Sequence, residues 1–291
     1  DRDVRVACIG PAGENLVKIA NMICDRCHAF GRGGLGAVMG SKNLKAIAVR
    51  GTGSVKLADP DTFEENIWAL YEYFSKNKNY LPFTTYGSPF YLRGANQDGY
   101  MPTRNFTSGV FEDAEAISGE AFANYAIRPL SCSGCPLHCF HLYEVKEGPY
   151  AGVSEGIQFE ATAGLGARCG VNYPPAIIHA NALCNRYGLD IMSTGVCIAF
   201  GMECFEKGLI SKRDTEGTEL RFGNHEAMVS IIERIAKKAG FGALLSEGTR
   251  MAAEKIGRGS EKFAIQGKGL EIVCQDPRGC KAWGLAYAVS N

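Results

Sequence analysis

Cys132, Cys135 and Cys139 stand two and three residues apart, around Gly134 and Pro136, in a stretch that follows Pro129. A segment that must bring three thiols to one point is a turn, and the rest of the chain has to hold it. Three thiolates at this spacing can converge on one iron–sulfur cluster, with the fourth ligand of a 4Fe–4S centre supplied from far away in the sequence. Zinc also takes thiolates, and buried free cysteines are the third alternative. His138 and His141 flank the motif. Both read as hydrogen-bonding neighbours of a cluster rather than as ligands.

The chain has 12 cysteines in 291 residues. An even count raises the possibility of a disulfide framework, but such frameworks belong to small secreted chains with thin cores. Here 46% of residues are hydrophobic, enough for a large core. The cysteines also cluster locally, which favours ligation. Cys24-Asp-Arg-Cys27-His28 matches the c-type haem attachment pattern. It falls late in a predicted helix, so helical thiols beside a Gly-rich loop are the preferred reading.

Lys and Arg number 31, as do Asp and Glu. That balance speaks against a nucleic-acid or anionic-membrane surface. Apolar runs are short, so no membrane span is expected and a cytoplasmic location is. The charged start Asp1-Arg2-Asp3 does not look like a signal peptide. The missing Met and the ordinary interior sequence before Asn291 read as an internal piece of a longer protein.

The pattern predicts α+β architecture, predominantly helical. Residues 1–57 read as strand (Val4–Ile9), turn (Gly10–Gly13), helix (Leu16, Ile19, Ala20, Ile23), Gly-rich break and strand (Leu44–Val49). An amphipathic helix over 61–80 follows a cap at Asp59 or Asp61. Residues 82–111 read as a long ordered loop and 118–126 as a short helix. Helices are predicted over 154–168, 174–187, 191–207, 224–239 and 242–257, with Met228, Ile231, Ile232 and Ile235 striping the fourth. The division is 1–57, 58–262 and 263–291.

Three further motifs carry chemistry. Gly31-Arg32-Gly33-Gly34-Leu35-Gly36-Ala37, continuing to Lys42, can bring backbone amides to an anionic group, or can simply turn a helix into a strand. It is not a Walker loop. Asn185-Arg-Tyr-Gly188-Leu189-Asp190 can hydrogen-bond a heterocycle, or can be a Gly C-cap followed by an N-cap. Lys268-Gly-Leu-Glu271 with Asp276-Pro-Arg278-Gly279 is either a ligand-lining loop or an ordinary turn.

In this order and spacing, segment 31–46, the three cysteines, Gly188-Leu189-Asp190 and segment 268–279 resemble the tungsten-containing aldehyde:ferredoxin oxidoreductase family. The likeness runs along essentially the whole chain. It implies a tungsten (or molybdenum) bis-pyranopterin, a 4Fe–4S cluster on Cys132, Cys135 and Cys139, and a Mg ion bridging the pterin phosphates. The chain would then hold the end of a β-rich pterin-binding domain (1–57), a helical domain with the cluster cysteines (58–262) and the opening of a third, helical domain (263–291). Arg32, Gly33, Gly34, Gly36, Ala37 and Lys42 would hold pterin phosphates. Asn185, Gly188, Leu189 and Asp190 would meet a pterin ring. The family pattern has Asp where this chain has Asn185, so that contact loses a charge. Glu160 resembles the acidic position near the metal and is the candidate for proton handling. The resemblance places the fourth cluster cysteine and a metal-proximal His beyond Asn291, and further pterin contacts before Asp1.

The reaction implied is oxidation of an aldehyde and water to a carboxylic acid, with electrons passing through the cluster to ferredoxin or an electron-transfer subunit. A homodimer is compatible with it. Segments Cys27–Phe30 and Leu220–Asn224 look more like the tungsten subunit of a benzoyl-CoA reductase, which acts on an acyl-CoA and has a protein cysteine on the metal. Cys169 or Cys184 would be the residue to test. A third reading is a non-catalytic iron–sulfur electron-transfer subunit.

Overall fold

A computed structural model describes residues 3–289. The chain begins with an antiparallel sheet of four strands in the order β3-β2-β1-β4. These are β1 (Val4–Ile9), β2 (Met22–Cys24), β3 (His28–Phe30) and β4 (Ala46–Arg50). Between β1 and β2 lies only a short helix, α1 (Pro11–Glu14). The predicted helix through Leu16–Ile23 does not form. Leu16 takes left-handed backbone (φ 56°), and the chain then turns through the buried Val17, Ile19 and Ala20 into β2. The i, i+3, i+4 spacing there comes from a buried turn leading into a strand, which periodicity alone cannot separate from a helix. Cys24 and Cys27 therefore lie on a β-hairpin and not on a helix.

Helix α2 (Leu35–Ser41) crosses to β4, and α3 (Pro60–Lys76) follows. Asp59 caps α3 by accepting from Thr62 N–H at 3.1 Å, as the sequence suggested. Residues 82–111 hold more structure than expected. Pro82 and Pro89 sit in the first turns of α4 (Leu81–Tyr86) and of a 3₁₀ turn, and α5 (Tyr91–Gln97) follows. α6 (Gly119–Ala123) leads to a three-stranded antiparallel sheet, β5 (Ala126–Leu130), β6 (Phe140–Val145) and β7 (Gly152–Glu155). β7 corrects the helix predicted from residue 154. Helix begins only at α7 (Phe159–Ala161) and continues as a π turn through Thr162–Gly166.

The helical body is α8 (Pro174–Tyr187), α9 (Ile191–Glu206), α10 (His225–Ala236), α11 (Gly240–Leu245) and α12 (Thr249–Ile256). α9 is buried on all sides from Ser193 to Cys204 and forms the axis of the core. α10 packs Met228, Ile231, Ile232 and Ile235 inward, as the stripe predicted. The single helix expected over 242–257 is two, broken at Gly248 (φ 85°). A hairpin, β8 (Gln266–Gly267) and β9 (Leu270–Glu271), precedes α13 (Lys281–Val289). Its two-residue turn, Lys268-Gly269, is left-handed at both positions (φ 55° and 93°), the geometry that matches strand twist. The α+β, mostly helical class holds. Among the described residues no helix is long and apolar enough to cross a membrane.

Candidate active site

Hairpin β2–β3 turns at Asp25 and Arg26, both left-handed (φ 47° and 78°). It carries Cys27 and His28 into a cavity of about 360 Å³. Gly31 and Arg32 follow on the same wall, Gln158 and Glu160 come from the start of α7, and Asn185 and Asp190 come from the α8–α9 turn. The fold thus gathers Arg32, Glu160, Asn185 and Asp190 from three separate stretches.

Arg32 and Asp190 form the rigid side of the cavity. Arg32 Nε donates to Asp190 Oδ2 at 2.9 Å, and Nη2 donates to Ser193 Oγ at 2.9 Å. Asp190 also caps α9, accepting from Met192 N–H at 3.1 Å and Ser193 Oγ at 2.6 Å. The pair is nearly buried, with side-chain exposures of 16% and 7%. Removing one partner strands the other's charge. Asp190→Ala is therefore expected to destabilise the protein by about 3–5 kcal/mol, read by denaturant unfolding. Asp190→Asn, which keeps a cap acceptor, should recover part of that loss.

Gly188 and Leu189 serve this geometry from behind. Gly188 is the left-handed C-cap of α8, and its carbonyl accepts from Asn21 N–H at 2.9 Å. A Cβ there would sit 2.7 Å from the Gly10 nitrogen. Leu189 is fully buried. Neither lines the cavity. Asn185 does, and its Nδ2 donates to the Glu155 carbonyl at 3.3 Å.

Of the Gly-rich run, Gly31 and Arg32 reach the cavity, whereas Gly33, Gly34, Gly36, Ala37 and Lys42 do not. The Gly36 amide donates to Ala20 O at 3.1 Å, and a Cβ there would meet Asn21 O at 2.4 Å. That glycine lets α2 lie on the chain before β2. Lys42 ends α2 and is exposed. Segment 268–279 also lies outside the cavity; its two ends, Lys268–Leu270 and Arg278–Gly279, are exposed, and Glu271, Cys274 and Asp276 between them are buried. Glu271 accepts from Thr249 N–H at 2.8 Å, and Arg278 Nε donates to Asp276 Oδ1 at 3.0 Å.

Glu160 is largely desolvated, which raises its carboxyl above the usual range. Asn21, which the sequence did not flag, also lines the cavity, and its Oδ1 is buried without a partner among the described residues. With the Asn185 amide, it offers acceptor capacity to a ring carrying several N–H donors. The donor set fits a pterin.

Cys132, Cys135 and Cys139 occupy the loop between β5 and β6, which bends at Gly134 (φ 71°) and His138 (φ 51°). Burial, then the nearby Cys132 and Cys135, push the Cys139 thiol up. Among the described residues no group of three or more acidic, His or Cys side chains is closed enough to hold a single ion. Cys132 and Cys135 lie within electrostatic reach of Cys139. His141 is close by in β6, its Nε2 3.1 Å from Thr84 O and its Nδ1 without a partner among the described residues.

The loop and the cavity adjoin. The His28 ring lies edge-on to Phe140, next to Cys139, with centroids 5.2 Å apart. Cys27 is pushed up to about 11 by burial, then by Glu155 and Cys132. Cys169 and Cys184, the thiols first singled out, are fully buried away from the cavity. Cys27 is the thiol that reaches it. The left-handed, non-glycine turn that aims it leaves no mark in the sequence.

The model of the N-terminal domain of aldehyde ferredoxin oxidoreductase matches residues 1–51, and that of domains 2 and 3 matches residues 67–291. The chain belongs to the aldehyde ferredoxin oxidoreductase family. A tungsten-containing aldehyde ferredoxin oxidoreductase of Pyrococcus abyssi is 43% identical over 298 residues, covering all of this chain and 48% of that protein. The Pyrococcus furiosus enzyme of that description is 41% identical, covering 99% and 47%. An aliphatic sulfonate oxidoreductase WOR-like subunit of P. furiosus is 33% identical, covering 97% and 46%. This member of the family thus spans about half the length of the curated relatives it matches. Among solved structures, the active-site complex BamBC of benzoyl coenzyme A reductase with 1,5-dienoyl-CoA matches at TM-score 0.74 and 26% identity. That match covers 94% of this chain and 43% of the other.

Proposed function

We propose that the chain is part of an oxidoreductase with a tungsten (or molybdenum) bis-pyranopterin and a 4Fe–4S cluster, which oxidises an aldehyde to a carboxylic acid and passes electrons to ferredoxin. The observation that carries this reading is the cavity that holds Glu160, Arg32 and Asp190 one aromatic contact away from the Cys132–Cys139 loop. The metal cofactor, when bound, supplies two-electron chemistry that no side chain can. The chain does the rest. Asn21 and Asn185 orient a heterocycle, Arg32–Asp190 fixes the wall, and Glu160 accepts the proton released as water adds to the aldehyde carbon. Cys132, Cys135 and Cys139 hold the cluster that takes electrons away singly. The division at residues 57 and 262 is part of this proposal, as is a Mg ion on the pterin phosphates.

Acyl-CoA reduction is the second reading. It rests on Cys27 in the cavity and on the likeness to the benzoyl-CoA reductase complex. Full-length protein purified without oxygen decides between them. Iron, pterin and tungsten or molybdenum should co-purify, and an aldehyde should reduce ferredoxin. Activity with benzoyl-CoA alone would select the second reading. Iron with no pterin or group-6 metal would sink both.

A further inference from the structure

Helix α7 gives way at Thr162 to a π turn that runs through Gly166 and begins two residues after Glu160. A π turn carries one residue more than an α turn, which shifts its amides relative to the carbonyls they would meet, and such turns gather at functional sites. Side chains hold several carbonyls of this stretch. Thr162 Oγ1 donates to Phe159 O at 2.9 Å, and Cys274 Sγ donates to Glu160 O at 3.4 Å. Cys169 Sγ shares its proton between Gly164 O at 3.6 Å and Gly195 O at 3.7 Å. Both cysteines are fully buried, and burial pushes their thiols up, to about 11 for Cys274 and about 12 for Cys169. Each keeps its proton near neutral pH and stays a donor.

The packing leaves this turn little room to drift. A Cβ on Gly164 would stand 3.3 Å from Cys274 Sγ, and one on Gly195 of α9 would stand 2.5 Å from Gly164 O. The thiol and α9 thus both lie directly against Gly164. Glu160 lines the cavity, whereas Cys274 and Cys169 do not. Cys274 therefore meets Glu160 at its backbone without entering the cavity.

On the oxidoreductase reading above, we propose that Cys274 is a positioning residue for the reaction, whose S–H ties down the Glu160 carbonyl and so holds the Glu160 carboxyl where it accepts the proton. Cys169 braces the π turn further along by linking Gly164 to α9. The role needs no contact with substrate, tungsten or cluster, and it gives two thiols outside the Cys132–Cys139 loop a task that packing alone does not require.

The test uses the full-length, metal-loaded enzyme with Cys274→Ala, which removes the donor, and Cys274→Ser, which keeps one at similar size. The charged and titratable groups near Glu160 are Arg32, Asp190, Cys27 and His28 around the cavity and Arg168 beside Cys274, and both variants leave them in place. In Cys274→Ala, kcat for aldehyde oxidation should fall about 10- to 100-fold with KM within a few-fold, the loss expected when a reacting group is misplaced by ~1 Å. The acid limb of kcat should move down toward the ordinary carboxylate range, because a carboxyl released from its buried position regains water. Cys274→Ser should return both close to wild type. Cys204→Ala, which removes a buried thiol toward the end of α9, should lower the thermal midpoint and leave the limb in place. Infrared difference spectra give a readout apart from activity. The S–H band lost in Cys274→Ala should lie below the frequency of a free thiol, as that of a hydrogen-bonded S–H does. The proposal is overturned if the band sits at the free-thiol frequency or if Cys274→Ala keeps the wild-type limb. It is equally overturned if the serine variant loses as much activity as the alanine variant while both midpoints fall, which makes the thiol a packing group. If wild type oxidises no aldehyde, the reaction reading fails, and the infrared band still decides whether Cys274 holds the Glu160 carbonyl.

Discussion

Glu160→Gln in the full-length, metal-loaded enzyme lowers kcat for aldehyde oxidation by about 10²–10⁴-fold, the usual contribution of a positioned acid or base. KM should stay within a few-fold, because glutamine keeps the shape and hydrogen bonding of the side chain. The pH profile supplies the second readout. Burial favours the neutral form of Glu160 and raises its pKa. The carboxylate needed to accept a proton is therefore absent at low pH and appears only as pH rises through the raised value. Wild-type kcat should climb along an acid limb lying above the ordinary carboxylate range, and Glu160→Gln should flatten that limb. A variant with full activity and an unchanged limb would show that another group takes the proton.

Cys132→Ala has the other large effect. Cys132 is exposed, on a loop where it makes no side-chain hydrogen bond among the described residues, so the fold should survive its removal. The reduced protein should lose its cluster electron-spin signal altogether. Iron should fall to a background level, and aldehyde-dependent ferredoxin reduction should fall with it. Tungsten and pterin should remain, because the groups proposed to hold them lie on the β2–β3 hairpin and the α8–α9 turn. Cys204→Ala is the control. That thiol is buried in α9, and its loss should cost stability and leave the signal intact. An undiminished signal in Cys132→Ala would remove the residue from the ligand set.

What the sequence revealed follows from how local each signal is. The Asp59 cap, the α10 stripe and the Gly188 C-cap depend on neighbours three or four residues away, and each appears where the pattern puts it. The region before β2 failed because Leu16, Ile19, Ala20 and Ile23 are buried by tertiary packing, and burial in a turn can mimic a helical stripe. β7 was missed because four residues of strand are too few to show alternation, and it exists through its pairing with β6. Arg32 and Asp190 were both flagged, but as separate ligand contacts. Their pairing with each other is a long-range fact that neither motif contains. Cys27 and His28 reach the cavity because of a hairpin turned at Asp25, a residue type that tolerates positive φ, and Arg26, one that seldom adopts it.

The Arg32–Asp190 pair joins residues 158 positions apart, and the strand-like contact of Ala20 with Leu189 spans a similar distance. Closing so long a stretch of chain is costly in entropy and is rewarded only when the intervening helices have packed. On a ribosome, the hairpin bearing Cys27 and His28 emerges long before the turn that completes its cavity. The pocket therefore cannot close until the α8–α9 turn has emerged and packed. A cofactor that depends on both walls has no seat during early synthesis, so its insertion must follow the meeting of the two ends.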